Sequence, residues 1–257
     1  MVPTLVIVAG VPEFSFLEWL LATIAAIGIG FSKGGLAGVS LFHVVVFAFL
    51  FGARESTGYV LPLLVAGDLC AVIALHQHAR WDYVRRMLPP ACVGVIAAAV
   101  FMSEISDATF KPVIGWIVLS LALMQAIRLR WPGWLGNVPH SRLTVWGIGL
   151  LAGGATMLAN AAGPVIALYC VAVGLPKAEV VGTLAWFFFI INVFKLPFSA
   201  GLGLIRMDTL LLNAVLVPAV ILGVIGGRWI MRRLPQRVFD VLMLAFAAIA
   251  ALRLIFS

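Results

Sequence analysis

The sequence predicts an all-α polytopic membrane protein with about 8–10 membrane helices, arranged as two inverted-topology repeats with broken or re-entrant helices. Three observations support this fold class: the apolar composition, the long uncharged runs, and short motifs that recur in order along both halves. Of the 257 residues, 63% are apolar and only 11% are charged, whereas soluble domains average roughly 25% charged residues. So little polar surface excludes a cytosolic enzyme, a nucleic-acid-binding module and a disordered chain.

The net charge of +7 has an explanation in the membrane, because the cytoplasmic loops of membrane proteins collect Lys and Arg. We therefore expect a lipid bilayer as a partner and no nucleic acid. The three cysteines lie in apolar runs without the spacing of a metal site, so neither a metal nor a cofactor is expected. No Lys or Arg precedes Lys33, so the basic region that begins a cleaved signal peptide is not predicted.

Ten uncharged or nearly uncharged runs follow one another, and each is predicted to form a membrane helix or part of one. They lie at residues 17–31, 36–51, 57–75, 87–102, 112–127, 143–158, 164–176, 180–199, 209–227 and 238–256. The breaks between them contain Gly and Pro, which favour turns. The runs are continuously apolar, which excludes the alternating pattern of membrane-spanning strands.

Short motifs recur in the same order in the two halves. An Arg-x-Asp motif begins at Arg80 and again at Arg206. Pro90 and Pro218 are each followed, a few residues later, by a glycine. These matches predict an internal repeat. The predicted parts are a first transmembrane repeat at 1–130, a cytoplasmic linker at 131–141 and a second, inverted transmembrane repeat at 142–257.

The inversion follows from the number of crossings in each half. Each half has five apolar runs, and its first two runs are short, so they either cross twice or form a re-entrant hairpin. Both alternatives give an odd number of crossings, which turns the second copy upside down. Eleven Lys and Arg residues of the loops then fall on one side and four on the other. The basic side is cytoplasmic by the positive-inside rule, so both termini are predicted to be periplasmic.

Segments interrupted by Gly and Pro at matching places in two inverted halves indicate a transporter binding site. Here the breaks lie at 31–35 and 160–164. A half-helix that begins at such a break presents unpaired backbone N–H groups, which favour an anion. We therefore expect Gly34, Gly35 and Gly163 to contribute to substrate binding. The alternative is that these glycines only allow tight helix packing.

Two ionisable residues of the first half are candidates for this chemistry. Lys33 stands in the first break, where a cation needs a partner or an aqueous cavity, and we predict that it binds the substrate. The alternative is that its ammonium group snorkels to a nearby interface. Asp68 lies too deep in its run to reach water, and burial disfavours an ionised carboxylate, which suits a proton carrier. The alternative for Asp68 is a structural ion pair with Lys33 or Lys195.

The second half supplies four further candidates for substrate binding. Asn192 and Lys195 are one helical turn apart, so both side chains can face the same way. Lys195 is close to the end of its run, which leaves snorkelling as an alternative. Asn160 and Thr183 add neutral hydrogen-bonding groups.

No catalytic residue is predicted, so we do not expect an enzyme. His43 and Asp68 are the residues that an intramembrane enzyme would use. No nucleophile elbow and no metal-type histidine pair accompany them. We interpret His43 as a hydrogen-bonded interior side chain.

Several motifs identify a family when they are taken together. They are Phe31-Ser32-Lys33-Gly34-Gly35, Leu61-Pro62-Leu63-Leu64 leading to Asp68, Gly163-Pro164 with Tyr169, Gly182-Thr183, and Asn192 to Leu196-Pro197. In this order they resemble the sulfite exporter TauE/SafE family, also called the toluenesulfonate uptake permeases, over nearly the whole chain. One position departs from the pattern, because Asn160 stands where a histidine is expected before Ala-Ala-Gly-Pro.

The resemblance implies a multi-pass secondary transporter in the bacterial inner membrane for sulfite, sulfonates or sulfoacetate. It also implies that Lys33, Asp68, Asn192 and Lys195 contribute to the site. The residues themselves favour a small anionic substrate, because two lysines, one aspartate and two helix N-termini make the pocket net positive. We expect alternating access with proton coupling, and either a monomer or a dimer. An intramembrane enzyme and an anion channel are the alternatives.

Overall fold

A computed structural model of the chain describes residues 14–34, 40–131 and 141–230, together with positions 248 and 252. This part of the chain is helical and contains no strand. Its nine α-helices are α1 (Phe16–Lys33), α2 (Ser40–Phe51), α3 (Glu55–Leu75), α4 (Trp81–Glu104), α5 (Asp107–Arg130), α6 (Arg142–Ala159), α7 (Gly163–Ala172), α8 (Lys177–Gly201) and α9 (Met207–Ile230). They confirm the first nine predicted runs. The tenth run, at 238–256, lies outside the described residues apart from two positions.

Seven of these helices are long and apolar enough to cross a membrane. The other two, α2 and α7, have 12 and 10 residues. At about 1.5 Å per residue they are about 18 Å and 15 Å long, too short to cross a hydrocarbon core of about 30 Å. Both of the first two runs of each half were predicted to be short, but only the second helix of each half is, since α1 and α6 have 18 residues each. Large apolar side chains such as Ile73 (68% exposed) cover the outer surface, as contact with lipid requires.

Glycines bring α1 very close to α9. A Cβ atom on Gly30 would overlap the carbonyl oxygen of Val220, so this close approach requires glycine. Moving from Gly30 to Gly34 along α1 moves the contact along α9 from Val220 to Gly227. The two helices therefore run parallel to each other.

The same packing joins α6 to α4. A Cβ atom on Gly153 would overlap the carbonyl oxygen of Ala91, while Gly149 lies against Met87 and Pro90. These two helices also run parallel. α1 and α6 are the first helices of the two halves, and α4 and α9 are the fourth helices. The first helix of each half therefore packs against the fourth helix of the other half.

The third helices of the two halves, α3 and α8, pack against each other in opposite directions. Gly58, near the start of α3, contacts Leu204, just after the end of α8. Asp68 meets Asn192 in the middle of the pair. Equivalent helices must run in opposite directions in an inverted repeat, so this packing is compatible with the predicted one. The boundaries of the two repeats stay a prediction.

Candidate functional site

A cavity of about 340 Å³ lies where the two helix breaks meet. The first break contributes Lys33, from the end of α1, and Ser40, from the start of α2. The second break contributes Asn160, just after α6, and Gly163, at the start of α7. The structure therefore brings the two predicted breaks together around one space.

The N-termini of the two short helices face each other in this cavity. A Cβ atom on Gly163 would lie only 3.2 Å from Oγ of Ser40. No side chain caps α7, whereas serines cap α1, α5 and α6 at their N-termini. The positive end of the α7 dipole therefore lies at the cavity without a capping bond from its own N-cap side chain, which favours an anion beside it.

Asn160 ends α6 in the left-handed conformation, with φ of 53°. Asparagine is one of the few residues besides glycine that tolerate this conformation. Its side-chain Nδ2 donates a hydrogen bond of 3.0 Å to the carbonyl oxygen of Thr57 on α3. The local backbone and this bond together hold the second break against α3.

Lys33 and Asp68 form an ion pair in the wall of the cavity. The distance from Lys33 Nζ to Asp68 Oδ1 is 2.6 Å, and the side chains are 11% and 0% exposed. The Lys33 ammonium also lies 4.7 Å from the centre of the Phe188 ring, within the range of a cation–π contact. Lys33 therefore meets its partners inside the protein rather than at an interface. The sequence allows two interpretations of Asp68, a proton carrier or a structural ion pair. The structure shows an ion pair, with Lys33 as the partner.

Hydrogen bonds continue from Asp68 to the second break. Asn192 Nδ2 donates to Asp68 Oδ2 at 2.7 Å, and Asn192 Oδ1 accepts from Lys195 Nζ at 3.3 Å. Lys195 Nζ also donates to Asn160 Oδ1 at 2.5 Å. One chain of contacts thus links Lys33, in the first break, to Asn160, in the second.

Lys195 is almost completely buried, with 1% of its surface exposed. Besides Asn160 and Asn192, its ammonium group donates to the carbonyl oxygen and the hydroxyl of Thr156, at 2.7 and 3.2 Å. An ammonium group has three hydrogens, so these acceptors occupy all of its donors. Lys195 lies behind the lining of the cavity, and it does not snorkel.

Besides Lys195, two of the predicted site residues that the structure describes do not line the cavity. Gly34 packs against Val224 and Gly227 of α9. The hydroxyl of Thr183 accepts a hydrogen bond of 3.0 Å from the backbone N–H of Arg80. Gly35 lies outside the described residues. The roles of these residues in substrate binding stay predictions.

Among the lining residues that were not predicted from the sequence, Arg128 and His43 carry ionisable side chains. Arg128 lies in the last turn of α5, although its position in the sequence predicts only one of the basic residues of a loop. His43 follows Ser40 by three residues, so both lie on one face of α2. The prediction that His43 is hydrogen-bonded was wrong, because neither ring nitrogen has a partner in the described part of the chain.

The charges at this site favour an anion. Among the described residues of the lining and of the layer behind it, three cationic side chains accompany one carboxylate. They are Lys33, Arg128 and Lys195, with Asp68. No group of three His, Cys, Asp or Glu side chains that could hold a metal ion occurs in the described chain.

Comparison with known proteins identifies a family for this chain. The model of one protein family, described as Sulfite exporter TauE/SafE, matches residues 22–254. Neither the curated proteins nor the solved structures give a significant match. The family match covers nearly the whole chain, including both helix breaks and the crossing of α3 with α8, and confirms the resemblance seen in the motifs. The chain therefore belongs to the sulfite exporter TauE/SafE family, a family of multi-pass membrane transporters for sulfur-containing anions.

Proposed function

We propose that this protein is a secondary transporter of small sulfur-containing anions such as sulfite, sulfonates or sulfoacetate, and that the cavity between the two helix breaks holds the substrate. The observation that carries the proposal is the position of Lys33. Its ammonium group lines the cavity where the uncapped N-terminus of α7 also lies. A charged side chain and backbone donors can then act on one anion.

The size and charge of the cavity fit such a substrate. Its volume of about 340 Å³ is at the small end of the usual range for ligand pockets, roughly 300–1,000 Å³. The excess of cationic side chains disfavours a cation and gives a neutral sugar no advantage. A compact oxyanion matches both properties.

The ion pair between Lys33 and Asp68 provides a route to proton coupling. While Asp68 is ionised, its carboxylate competes with the substrate for the Lys33 ammonium group. Protonation of Asp68 removes that competition, so the proton and the anion favour each other's binding, and this linkage is reciprocal. Asn192 continues to hold the second oxygen of Asp68 in place.

Lys195 has a positioning role in this mechanism. All of its donors are occupied by Thr156, Asn160 and Asn192. It therefore fixes the second break against α8 and adds positive charge behind the cavity. Direct contact with the substrate falls to Lys33 and to the polar groups of the lining, including Asn160 and Gly163.

Two equivalent ion pairs support alternating access. Arg206, before α9, lies 3.4 Å from Glu55, at the start of α3. Arg80, before α4, lies 3.0 Å from Glu179, in the first turn of α8. Since α3 and α8 run in opposite directions, the two pairs lie at opposite faces, and each joins one half to the other. Exposed pairs of this kind contribute about 0–1 kcal/mol, so either can break as the halves rock.

The membrane and its orientation complete the proposal. We place the chain in the bacterial inner membrane with both termini periplasmic, and with the face that carries Arg80 and Glu179 on the cytoplasmic side. The excess of Lys and Arg in the loops of that face supports this orientation. The protein works as a monomer or a dimer, with the substrate and the bilayer as its partners.

A thermal-shift panel on the purified full-length protein tests the function. The panel contains sulfite, thiosulfate, sulfate, several sulfonates and several carboxylates. A ligand at 100 times its dissociation constant adds about 2.7 kcal/mol of stability, which raises the melting temperature measurably. We expect sulfite or a sulfonate to stabilise the protein and to be taken up saturably by proteoliposomes. Stabilisation by carboxylates alone, or flux that does not saturate, would contradict the proposal.

A further inference from the structure

His43 differs from the other deeply buried polar side chains that line the cavity. It is 1% exposed, and neither ring nitrogen has a hydrogen-bond partner among the described residues. The side chains of Asn160 and Asn192, which also line the cavity, are bonded at both their oxygen and their nitrogen atoms. The lining therefore contains a buried histidine whose two ring nitrogens are both unpaired within the described ranges.

A buried polar group without a partner is unfavourable, and such groups are rare in native structures. A buried polar side chain without a partner also occurs outside the cavity, so the position of His43 on the cavity wall is the property that points to a ligand. Asn213, on α9, is 3% exposed, and neither of its side-chain polar atoms has a partner in the part of the chain that the structure describes. It does not line the cavity, so no substrate can reach it there. His43 combines the missing partners with a position on the cavity wall.

We infer that His43 binds the transported anion directly, donating a ring N–H to one oxygen while Lys33 holds the charge. This inference rests on the proposed function and adds a second side chain to the substrate site. A neutral imidazole carries one donor and one acceptor, so one ring nitrogen always offers an N–H to an oxyanion. His43 and Lys33 come from opposite sides of the first break and line the same cavity. An anion between them is bound by two different types of donor.

The test compares sulfite binding to purified full-length variants by calorimetry, with the melting temperature of the ligand-free protein measured in parallel. Loss of a hydrogen bond to a charged ligand raises the dissociation constant by about tenfold or more. We expect this increase in His43→Leu, with no fall in the ligand-free melting temperature, because an unpaired polar group has been removed. His43→Gln, which keeps an N–H donor, recovers part of the affinity. Asn213→Leu, the matched control, binds sulfite like the wild type.

Equal affinities of the wild type and His43→Leu for sulfite overturn the inference while the proposed function stands. If His43→Leu does not fold, His43→Phe replaces it, because phenylalanine keeps a planar ring without a hydrogen-bond donor. The dissociation constant of His43→Phe for sulfite is then expected to rise in the same way. A wild-type protein that binds no sulfur-containing anion of the panel overturns the proposed function, and the inference with it. The two failures are thus distinguished by the wild-type measurement alone.

Discussion

Asp68 and Asn192 are joined by a hydrogen bond of 2.7 Å although 124 positions separate them in the chain. They lie where α3 and α8, the third helices of the two halves, cross in opposite directions. Asp68 also forms an ion pair with Lys33, in the first break. Asn192 also accepts a hydrogen bond from Lys195, which holds the second break. The crossing of the third helices therefore connects the two breaks, and the cavity lies beside it.

Asp68→Asn separates proton coupling from substrate binding. The amide keeps an oxygen for Asn192 but cannot release a proton. We expect concentrative uptake driven by a proton gradient to be abolished in proteoliposomes, while exchange of labelled for unlabelled substrate continues. Asp82→Asn, in the exposed first turn of α4, is the control and transports normally. Concentrative uptake by Asp68→Asn at the wild-type level would exclude Asp68 as the proton carrier.

A structural role for the ion pair of Asp68 predicts another pattern. In that case Asp68→Asn leaves the buried Lys33 unpaired and lowers the free energy of unfolding, and neutralising Lys33 in the same chain restores it. Unfolding of the two single variants and of the double variant measures this coupling. Recovery of stability in the double variant, without recovery of transport, would assign the pair a role in folding alone.

Lys195→Met is expected to destabilise the protein. The change leaves the acceptors of Thr156 and Asn160 unpaired in the interior. Removing one partner from a buried charged network typically costs about 3–5 kcal/mol. Denaturant unfolding in detergent measures the loss, with Lys111→Met at the start of α5 as a control that changes stability by about 0.5 kcal/mol or less. Similar stability in the two variants would show that Lys195 does not hold the second break.

Reversing the charge of Arg80 tests the ion pairs between the halves. Arg80→Glu places two carboxylates together at the start of α8, so the face that they close should open more readily. We expect a transport rate lowered severalfold with nearly unchanged substrate affinity. The further change Glu179→Arg restores the pair in reversed order and recovers the rate. A double variant as slow as the single one would mean that this contact does not govern the movement.

Cysteine labelling tests the orientation of the two faces. The contacts of Arg54 with Asp107 and of Arg206 with Glu55 place the start of α5 and the start of α9 at one face. Cysteines at Ser106 and Met207 should therefore react with an impermeant reagent from outside the cell. Those at Gln77 and Ala178, near the other ion pair, should react only after permeabilisation. Reaction of Ser106 and Gln77 from the same side of the membrane would end the proposed topology.

The helices and the breaks could be predicted because they depend on local features. A continuous apolar run specifies a membrane helix wherever it packs, and Gly, Pro and Asn at the breaks restrict the backbone directly. Lys33 and Asp68 stand out because a charge is rare in an apolar run. These signals can be read from the sequence without knowing which helices pack against each other.

The contacts within the site could not be predicted, because they depend on how the helices rotate and cross. Thr183 and Asn192 lie on the same helix, yet only Asn192 faces the cavity, while Thr183 bonds the segment before α4. Arg128 is close to the end of its run, where a loop charge is as common as a site residue. Nothing local to His43 indicates that it is unpaired, since its partners depend on the packing of α2 against other helices.

Substrate binding by Lys33 is tested most directly in a background without the competing carboxylate. Asp68→Asn and the double variant Lys33→Met/Asp68→Asn differ only at Lys33, and neither contains an unpaired buried aspartate. Removal of a buried charged contact with a ligand costs about 2–5 kcal/mol, or roughly 30-fold to several thousand-fold in affinity. Calorimetric titration with sulfite should therefore show binding to Asp68→Asn that is at least tens of fold tighter than binding to the double variant. Equal dissociation constants for the two folded proteins would contradict a substrate site at Lys33.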